Sequence, residues 1–458
     1  MTKYNLDKID QKVLGKYGNN AFMYVEYPHK KNWNNKYNYN EITKAIKDNL
    51  KKKINEKYLF YVHIPHCHTQ CLYCTCHVEI TKDYNVVKKY LDYLYKEIDM
   101  YQGMFAEIGL TPKISEVHLG GGSPTYPKIE DFDILIEKLK KFIQIDTLDE
   151  FSIEIDPRRV KEDKMVYYHS KGINRISFGV QEFDKEVQKH VARVQPRSLT
   201  ERLLTSKIRK LFPNGINFDI ICGLPGQKIE SFKKTVETIV DLNPDRVCLN
   251  YMHMSPKFHP HQNKMPKNII PDQFLRKELF SMASEMLEKN GFARAGYDHF
   301  VKKDDYIYNE MKKEKMGWNR LGIASGKYNN VIGVGVSTTC KLDGKLYYQN
   351  FYDNKEYENA IDNEKLPIST HHSMSNEDCM REELIQTIRT YFHLDKEKFS
   401  SKYQINFDEY FRKDLKKIQE YRDNHLLTMD EKNIELSEVG KQFSNLVAST
   451  FDEYNLPG

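Results

Sequence analysis

The chain has 458 residues, of which 40% are hydrophobic and 29% are charged, and its formal net charge is +5. The length predicts two or three domains, and the composition excludes global disorder and does not indicate a nucleic-acid-binding protein. The first residues lack an apolar signal region, and no apolar run reaches the roughly 18 residues that cross a bilayer, so we expect a cytoplasmic protein without membrane insertion.

The first predicted element is an N-terminal extension, residues 1–57, in which only 41–54 has the apolar spacing of a helix. From residue 58, short β-rich runs alternate with helical stretches. The six runs read YLFYVHI, ISEVHL, FSIEI, INRISFGV, INFDIICGL and RVCLNYM. This alternation is typical of βαβ units and a parallel sheet, and the lack of a dinucleotide-binding glycine motif favours a complete or partial barrel.

The pattern changes after Pro271, first to a helical segment and then to a predicted loop-rich stretch that ends at residue 365. Residues 366–458 predict a separate, mostly helical domain with a small β-hairpin at LLTMDEKNIELS and a last helix over 438–454. This order resembles a winged helix, which could bind DNA. A packing lid on the barrel is favoured, because the last helix carries little positive charge. The predicted domains are therefore 1–57, 58–365 and 366–458.

Polar or glycine-rich residues follow the predicted strands at their carboxyl ends. Cysteines follow the first run, GGGSPT (120–125) follows the second, and Glu154, Gln181 and Asp219 lie at the ends of the next three. In a βα barrel these ends share one face, where the loops build the active site. Such residues also occur in ordinary turns, but their recurrence after successive strands favours one shared site.

Four of the eight cysteines lie in YVHIPHCHTQCLYCTCH, residues 61–77. Cys67, Cys71 and Cys74 form a C-x3-C-x2-C run, and Cys76 adds a C-x-C overlap. Disulfides are not expected in a reducing cytosol. Structural zinc usually takes two separated ligand pairs, so zinc assisted by the neighbouring histidines is the less favoured alternative. Three thiolates would leave one iron of a [4Fe–4S] cluster open to a substrate.

The cysteine triplet is the hallmark of the radical SAM superfamily, and further motifs make the chain resemble the HemN-like, oxygen-independent coproporphyrinogen III oxidase (dehydrogenase) family. These motifs are YVHIPHCHTQCLYCTCH, HLGGGSPTY, SIEIDPR, GVQEFDKEVQKHVARVQ, FDIICGLPGQ, LNPDRV, GYDHF and DEKNIELSEVGKQF. The resemblance implies an α/β fold with a partial (βα)6-type radical SAM barrel, flanked by the N-terminal extension and the helical C-terminal domain. It also implies a [4Fe–4S] cluster and two molecules of S-adenosyl-L-methionine in one cavity.

The resemblance further implies the reaction. In this family a 5′-deoxyadenosyl radical removes hydrogen from the β-carbon of a propionate, which then loses CO2 and one electron to become a vinyl group. Two such events convert coproporphyrinogen III to protoporphyrinogen IX in anaerobic haem biosynthesis. The expected partners are a porphyrinogen or another tetrapyrrole and an electron donor such as flavodoxin or ferredoxin, and we expect a monomer.

Site residues follow from the same resemblance, which assigns the iron to Cys67, Cys71 and Cys74. The residues that it assigns to S-adenosylmethionine are Tyr61, Tyr73, Cys76, Gly121, Gly122, Ser123, Glu154, Gln181, Arg193, Asp219, Ile221, Met252 and Thr339. The glycines allow a ligand to approach the backbone, and Glu154 suits an ammonium group. Arg193 suits a carboxylate, and Asp219 suits a ribose hydroxyl.

The chain departs from the family where the second cofactor and the substrate would lie. Family segments PRYTSYP and FQGYT correspond here to FMYVEYP (22–28) and RLGIAS (320–325), while Thr339 and Met252 replace an aliphatic and a small residue. Two further hypotheses therefore stay open. One is a HemN-like radical SAM methyltransferase that acts on haem or another substrate. The other is a haem-carrying or nucleic-acid-binding protein that has kept the fold without the chemistry.

Overall fold

The computed structural model describes residues 15–17, 26–52, 56–319 and 321–454. Its centre is a 12-stranded sheet, whose strands we number in chain order. They are Lys57–Ile64 (β1), Lys113–Gly121 (β2), Glu150–Ile155 (β3), Arg175–Gln181 (β4), Ile216–Cys222 (β5), Arg246–Tyr251 (β6), Phe292–Ala295 (β7), His299–Lys302 (β8), Asn330–Val334 (β9), Thr339–Leu342 (β10), Leu346–Asn350 (β11) and Ile368–Ser373 (β12). The spatial order is β12-β11-β10-β9-β1-β2-β3-β4-β5-β6-β8-β7.

The strands β1 to β6 are parallel neighbours in chain order. The helices that connect them are Tyr84–Glu107, Ile129–Lys140, Glu162–Ser170, Lys185–His190, Arg197–Glu201, Ser206–Leu211 and Ile229–Leu242. Strand β2 is buried along nearly its whole length, as expected for a parallel strand that helices and neighbouring strands cover. The sheet has two edges, β12 and β7, and does not close. The predicted partial barrel is therefore confirmed.

The prediction of a loop-rich stretch before residue 365 is wrong. After the helix Gln273–Lys289, the chain forms β7 to β12, the helices Tyr306–Lys312 and Asn354–Asp362, and a hairpin of Gly317–Asn319 with Gly322–Ala324. These strands extend the sheet at both edges, with β9 parallel to β1 and β8 antiparallel to β6. They have only four to six residues each. The alternation of apolar and polar residues in such a short strand is too brief to distinguish it from a loop in the sequence.

The N-terminal helix spans Tyr39–Lys52 and packs against the main core through Ile42, Ile46 and Leu50. Before it, Asn34 pairs with His371 of β12, so this part of the extension follows the edge of the sheet. The rest of the predicted extension, including most of the segment 22–28, lies outside the described residues.

The C-terminal region has its own buried core, which includes Ile388, Phe411 and Val447. Its helices are Asn376–Tyr391, Lys396–Tyr403, Phe407–Tyr410, Arg412–Asp423 and Ser444–Ser449. The predicted hairpin is present as Leu427–Met429 with Asn433–Leu436, and His393–Asp395 adds a third strand. The last helix is shorter than predicted, because a 3-10 turn, Gly440–Phe443, precedes it. The boundary at 365/366 stays a prediction, and β12, which lies beyond it, belongs to the large sheet.

None of the described helices combines the length and the apolar character that crossing a bilayer requires.

Candidate active site

A cavity of about 620 Å³ runs along the inner face of the parallel strands. Alternate residues of a strand point to the same face, so one strand lines the cavity over several positions. Strand β5, for example, contributes Asn217, Asp219 and Ile221. The cysteine loop lies at the carboxyl end of the strands. All predicted site residues except Tyr61 and Thr339 line this cavity.

The cysteine loop is held at the cavity by backbone hydrogen bonds. A short strand, His66–Cys67, pairs with Glu79–Ile80, and the Cys74 N–H donates to the Cys71 oxygen at 3.1 Å. These bonds place Cys67, Cys71, Cys74 and Cys76 on one rim, with Cys71 buried and Cys76 exposed. A rim of thiols open to a cavity suits a metal cluster that keeps one position for a ligand.

Two arginines make the surroundings of Cys71 positive. Arg193 Nη1 lies 3.5 Å from the Cys71 sulfur, and Arg158 Nη2 lies 3.8 Å from it. Asp156 accepts from Arg158 Nη2 at 2.7 Å. Burial raises the pKa of Asp156, but the two guanidinium groups outweigh burial and bring the pKa to about 2. Two cations against one carboxylate leave an excess of positive charge, which stabilises anionic sulfur ligands.

Arg193 is held in place while part of its hydrogen-bonding capacity remains free. The preceding loop is tied to the cysteine loop, since the Leu72 N–H donates to the Val191 oxygen at 3.0 Å. Arg193 Nη2 donates to the Gly179 oxygen at 2.5 Å. Its Nε is buried and has no partner within the described part of the chain. An arginine with an unused buried donor beside a cavity fits a bound carboxylate.

The glycine loop after β2 makes room for a ligand beside the cysteines. A Cβ on Gly122 would lie 2.4 Å from the Pro65 carbonyl oxygen and 3.1 Å from the Cys67 sulfur. Gly121 has φ +117°, which side-chain-bearing residues rarely adopt. Next to them, Ser123 is buried and lines the cavity. The backbone here therefore forms a cradle that any side chain would fill.

Glu154, at the end of β3, is fixed but reaches the cavity. Its Oε2 accepts from the Gly121 N–H at 3.1 Å, and its Oε1 lies 3.3 Å from His118 Nε2. The other ring nitrogen of His118 lies 2.7 Å from Ser152 Oγ. Tyr61 stacks on the His118 ring instead of lining the cavity. Tyr61 therefore packs against His118, the residue that orients Glu154.

The remaining predicted residues divide into a polar and an apolar group. Asp219 accepts from Ser177 Oγ at 2.8 Å and from Asn217 Nδ2 at 2.9 Å, and burial raises the pKa of its carboxyl group. Gln181 lies at the end of β4 with a left-handed φ of 69°. The apolar group, which packs together beside the cysteine loop, consists of Tyr73, Ile221 and Met252.

Thr339, which the resemblance assigns to a cofactor, is not among the residues that line the cavity. It begins β10 and pairs with Gln349 of β11. Strand β9 separates β10 from the parallel strands, so Thr339 stands two strands away from β1. Among the other departures from the family, Leu321 and Ile323 do line the cavity. Arg320, between the two strands of the hairpin, lies outside the described residues.

Several residues of the wall were not predicted from the sequence. Asp156 and Arg158 lie inside the motif SIEIDPR, and Asp298 and His299 lie inside GYDHF. These motifs support the family resemblance, but the sequence assigned no role to these four side chains. Asn217 lies two residues before Asp219, and the alternation of β5 alone could have indicated it.

Comparison with known proteins gives matches over the whole chain. The model for the radical SAM superfamily matches residues 61–239, and the model for the HemN C-terminal domain matches 374–443. An oxygen-independent coproporphyrinogen III oxidase of Helicobacter pylori (strain ATCC 700392 / 26695) is 31% identical over 98% of this chain and 97% of the relative. That of Escherichia coli (strain K12) is 29% identical over 97% of this chain and 95% of the relative.

A solved structure is similar over the same extent. It is described as "Coproporphyrinogen III oxidase (HemN) from Escherichia coli is a Radical SAM enzyme" and superposes with a TM-score of 0.88 at 28% identity. The match covers 98% of this chain and 100% of the other.

Proposed function

Because the chain belongs to the oxygen-independent coproporphyrinogen III oxidase family of radical SAM enzymes, we propose that it decarboxylates coproporphyrinogen III oxidatively to protoporphyrinogen IX without oxygen. The observation that carries the proposal is the meeting of the C-x3-C-x2-C cysteines with Glu154 and Arg193 on one cavity. Removal of hydrogen from the unactivated β-carbon of a propionate is radical chemistry of the kind that a bound cofactor supplies. The cavity has the donor groups to hold one.

The residues present fit both cofactors. Cys67, Cys71 and Cys74 would hold a [4Fe–4S] cluster, since they share a rim that two arginines make positive. S-adenosylmethionine would take the adjoining glycine cradle, with Glu154 at its ammonium group and Arg193 at its carboxylate. When bound, the two cofactors supply the one-electron chemistry that removes a hydrogen atom from carbon.

The protein's own contribution is positioning and exclusion of water. The Gly121 N–H and His118 hold the Glu154 carboxylate towards the cavity. Tyr73 and Met252 cover the space beside the cysteine loop with apolar surface. A reactive radical lasts longer in such a shielded site, because fewer solvent molecules can react with it.

The proposal includes a second S-adenosylmethionine in the same cavity. Gln181, Asp219 and Ile221 extend the wall beyond the glycine cradle and offer it polar and apolar contacts. The cysteine Cys76, exposed at the rim, and Ser123 also lie within reach of a bound ligand. Thr339 is not among the residues that line the cavity, and its contact with a cofactor stays a prediction.

The proposal also names partners and location. The electron donor is a flavodoxin- or ferredoxin-like protein, and the enzyme is a cytoplasmic monomer. The C-terminal region acts as a lid on the barrel, not as a nucleic-acid-binding unit. This role is supported by the buried Lys277 side chain, which donates to the Gln442 oxygen at 3.0 Å and so joins the helix after β6 to the C-terminal region.

The test is an anaerobic incubation of the reconstituted protein with reductant, S-adenosylmethionine and coproporphyrinogen III, analysed by mass spectrometry, with Cys71→Ala as control. Loss of carboxyl groups together with 5′-deoxyadenosine supports the proposal. Gain of a methyl group with S-adenosylhomocysteine would identify a methyltransferase instead. The methyltransferase alternative stays open, because the apolar residues Leu321 and Ile323 line the cavity. Deoxyadenosine without a changed porphyrinogen would mean that the substrate is another molecule.

A further inference from the structure

A buried carboxylate–imidazole pair lies in the cavity wall away from the cysteine loop. His299 Nδ1 lies 2.6 Å from Asp298 Oδ1, which also accepts from Trp318 Nε1 at 3.0 Å. Asp298 is 8% exposed and His299 is 7% exposed. Because a carboxylate only accepts hydrogen bonds, Nδ1 is the nitrogen that carries a proton towards Asp298, and in the neutral form of the ring this tautomer leaves a lone pair on Nε2.

The Nε2 atom of His299 is available to a ligand. His299 lines the cavity, and nothing within the described chain hydrogen-bonds to this nitrogen. Gly322, in the hairpin over the ring, leaves the space next to it open, since a Cβ there would lie 3.0 Å from Nε2. The wall therefore presents a hydrogen-bond acceptor of fixed orientation.

A second, independent acceptor lies on the same wall. Asn217 is 5% exposed, and its Oδ1 is buried without a partner in the described part of the protein. Its Nδ2 already donates to Ser177 Oγ and to Asp219 Oδ1. Asp219 and His299 both stand opposite Cys248 in the sheet, so they flank it on the neighbouring strands. We call Asn217 and His299 the acceptor wall.

Two arginines that line this part of the cavity, Arg175 and Arg246, are already paired with carboxylates. Arg175 Nε donates to Glu150 at 2.6 Å, and Arg246 Nε donates to Asp305 at 2.6 Å. Arg246 Nη1 also contacts the second oxygen of Glu150 at 3.3 Å. Neither of these two arginines is therefore free to pair with a substrate carboxylate. The acceptor wall suits a neutral group that donates hydrogen bonds.

We propose that the Asp298–His299 pair is a recognition site for the pyrrole N–H groups of a reduced tetrapyrrole. Each pyrrole ring of a porphyrinogen presents an N–H donor, and its nitrogen lone pair belongs to the ring π system and accepts poorly. His299 Nε2 accepts from such an N–H, while Asp298 fixes the ring and its tautomer. The inference rests on the proposed function and specifies which part of the substrate faces β6 and β8.

The experiment measures binding of coproporphyrinogen III to the full-length, cluster-loaded protein by anaerobic equilibrium dialysis, with the ligand oxidised afterwards to the fluorescent porphyrin for quantification. Asp298→Asn keeps the shape of the pair, but its amide can donate to Nδ1 of His299 and so shift the ring proton to Nε2. The Nε2–H group would then face the pyrrole N–H, and two donors do not form a hydrogen bond. We expect about tenfold weaker binding. His299→Gln, a second variant, should weaken binding by a similar factor. S-adenosylmethionine affinity should change by less than about twofold.

The controls separate the possible results. Asp362→Asn removes the same charge on the surface and should bind like the wild type. Wild-type binding that both variants retain in full overturns this inference but leaves the proposed function standing. Wild-type protein that binds no coproporphyrinogen III overturns both.

Two other outcomes reassign the site. Loss of S-adenosylmethionine binding in Asp298→Asn, with the cluster retained, would assign the wall to the second cofactor. A histidine-ligated Soret band with added ferric haem, absent in His299→Gln, would assign Nε2 to a metal centre. Either result overturns recognition of the pyrrole N–H.

Discussion

The two parts of the cavity are built in different ways. At the cysteine loop, four cysteines come from one stretch of ten residues, 67–76, and the glycine cradle comes from the next strand end. The acceptor wall combines residues of β5 and β8, which lie on either side of β6, and Gly322 of the hairpin lies next to His299. The difference teaches that the iron ligands and the glycine cradle come from short local stretches of sequence, whereas the acceptor wall depends on how distant strands pair.

The largest effect is expected at the cysteine loop. Cys71→Ala removes a buried thiol that Arg193 and Arg158 contact. One iron of the cluster would then lack a ligand, and the two arginines would lose their contact with the cysteine sulfur. We expect complete loss of cluster absorbance and of 5′-deoxyadenosine formation, measured by iron analysis and chromatography. Cys379→Ala, a control in the C-terminal region, should keep its iron. Equal iron content in both variants would contradict the assigned ligand set.

Arg193→Ala tests the same part of the cavity with a smaller effect. Arg193 is 8% exposed and close to Cys71, so its loss leaves a bound carboxylate without a partner. Binding of S-adenosylmethionine should weaken by about 2–5 kcal/mol, measured by anaerobic calorimetry. Arg197→Ala, which breaks only exposed ion pairs, is the control and should have little effect. An unchanged affinity in Arg193→Ala would remove this residue from the cofactor site.

Gly322→Ala tests the acceptor wall by adding a methyl group next to His299, instead of removing a polar side chain. Gly322 has φ +107°, and the new Cβ would lie 3.0 Å from His299 Nε2. We expect a stability loss of about 1–3 kcal/mol in denaturant unfolding, together with weaker coproporphyrinogen binding. Gly326→Ala is a matched control, because its Cβ would meet only ordinary contacts at 3.7 Å. If both variants bound substrate equally, the hairpin would not shape the wall.

The fourth prediction concerns the support of the cysteine loop and is a change in stability. Glu97 accepts from the Gly335 N–H at 2.7 Å, and Gly335 packs against the His63 oxygen just before the loop. Burial raises the pKa of Glu97 from 4.5 to about 7, although hydrogen bonds from Tyr357, Gly335 and Asn350 lower it in part. The folded protein therefore holds this proton more tightly than the unfolded chain does.

Stability contributed by this proton is fully present below the unfolded pKa and is lost as the pH rises through the folded value. Between these two pH values we expect a decrease of about 2–4 kcal/mol in the free energy of unfolding. Glu97→Gln, which has no proton to lose, should flatten this dependence in urea titrations, whereas the exposed Glu107→Gln should not. An unchanged slope in Glu97→Gln would mean that another group titrates.

Prediction succeeded where the evidence is local in the sequence. The six parallel strands are long, apolar and separated by helices, so their alternation is visible. The cysteine loop and the glycine cradle are contiguous motifs, and both line the cavity. Prediction failed for β7 to β12, where short strands are mixed with turns. The family resemblance assigns Thr339 to a cofactor; this residue lies in β10 and does not line the cavity, so the assignment stays a prediction.

The sequence by itself determined the family, the parallel core and the thiols available for a cluster, because each depends on residue types at short spacing. Only the tertiary structure decided which polar atoms of the cavity are already hydrogen-bonded and which remain free. Asn217 and Asp298 show this, since Ser177 of β4 contacts the first and Trp318 of the hairpin donates to the second. The pairing of buried groups depends on contacts between distant segments, and residue spacing along the chain does not encode those contacts directly.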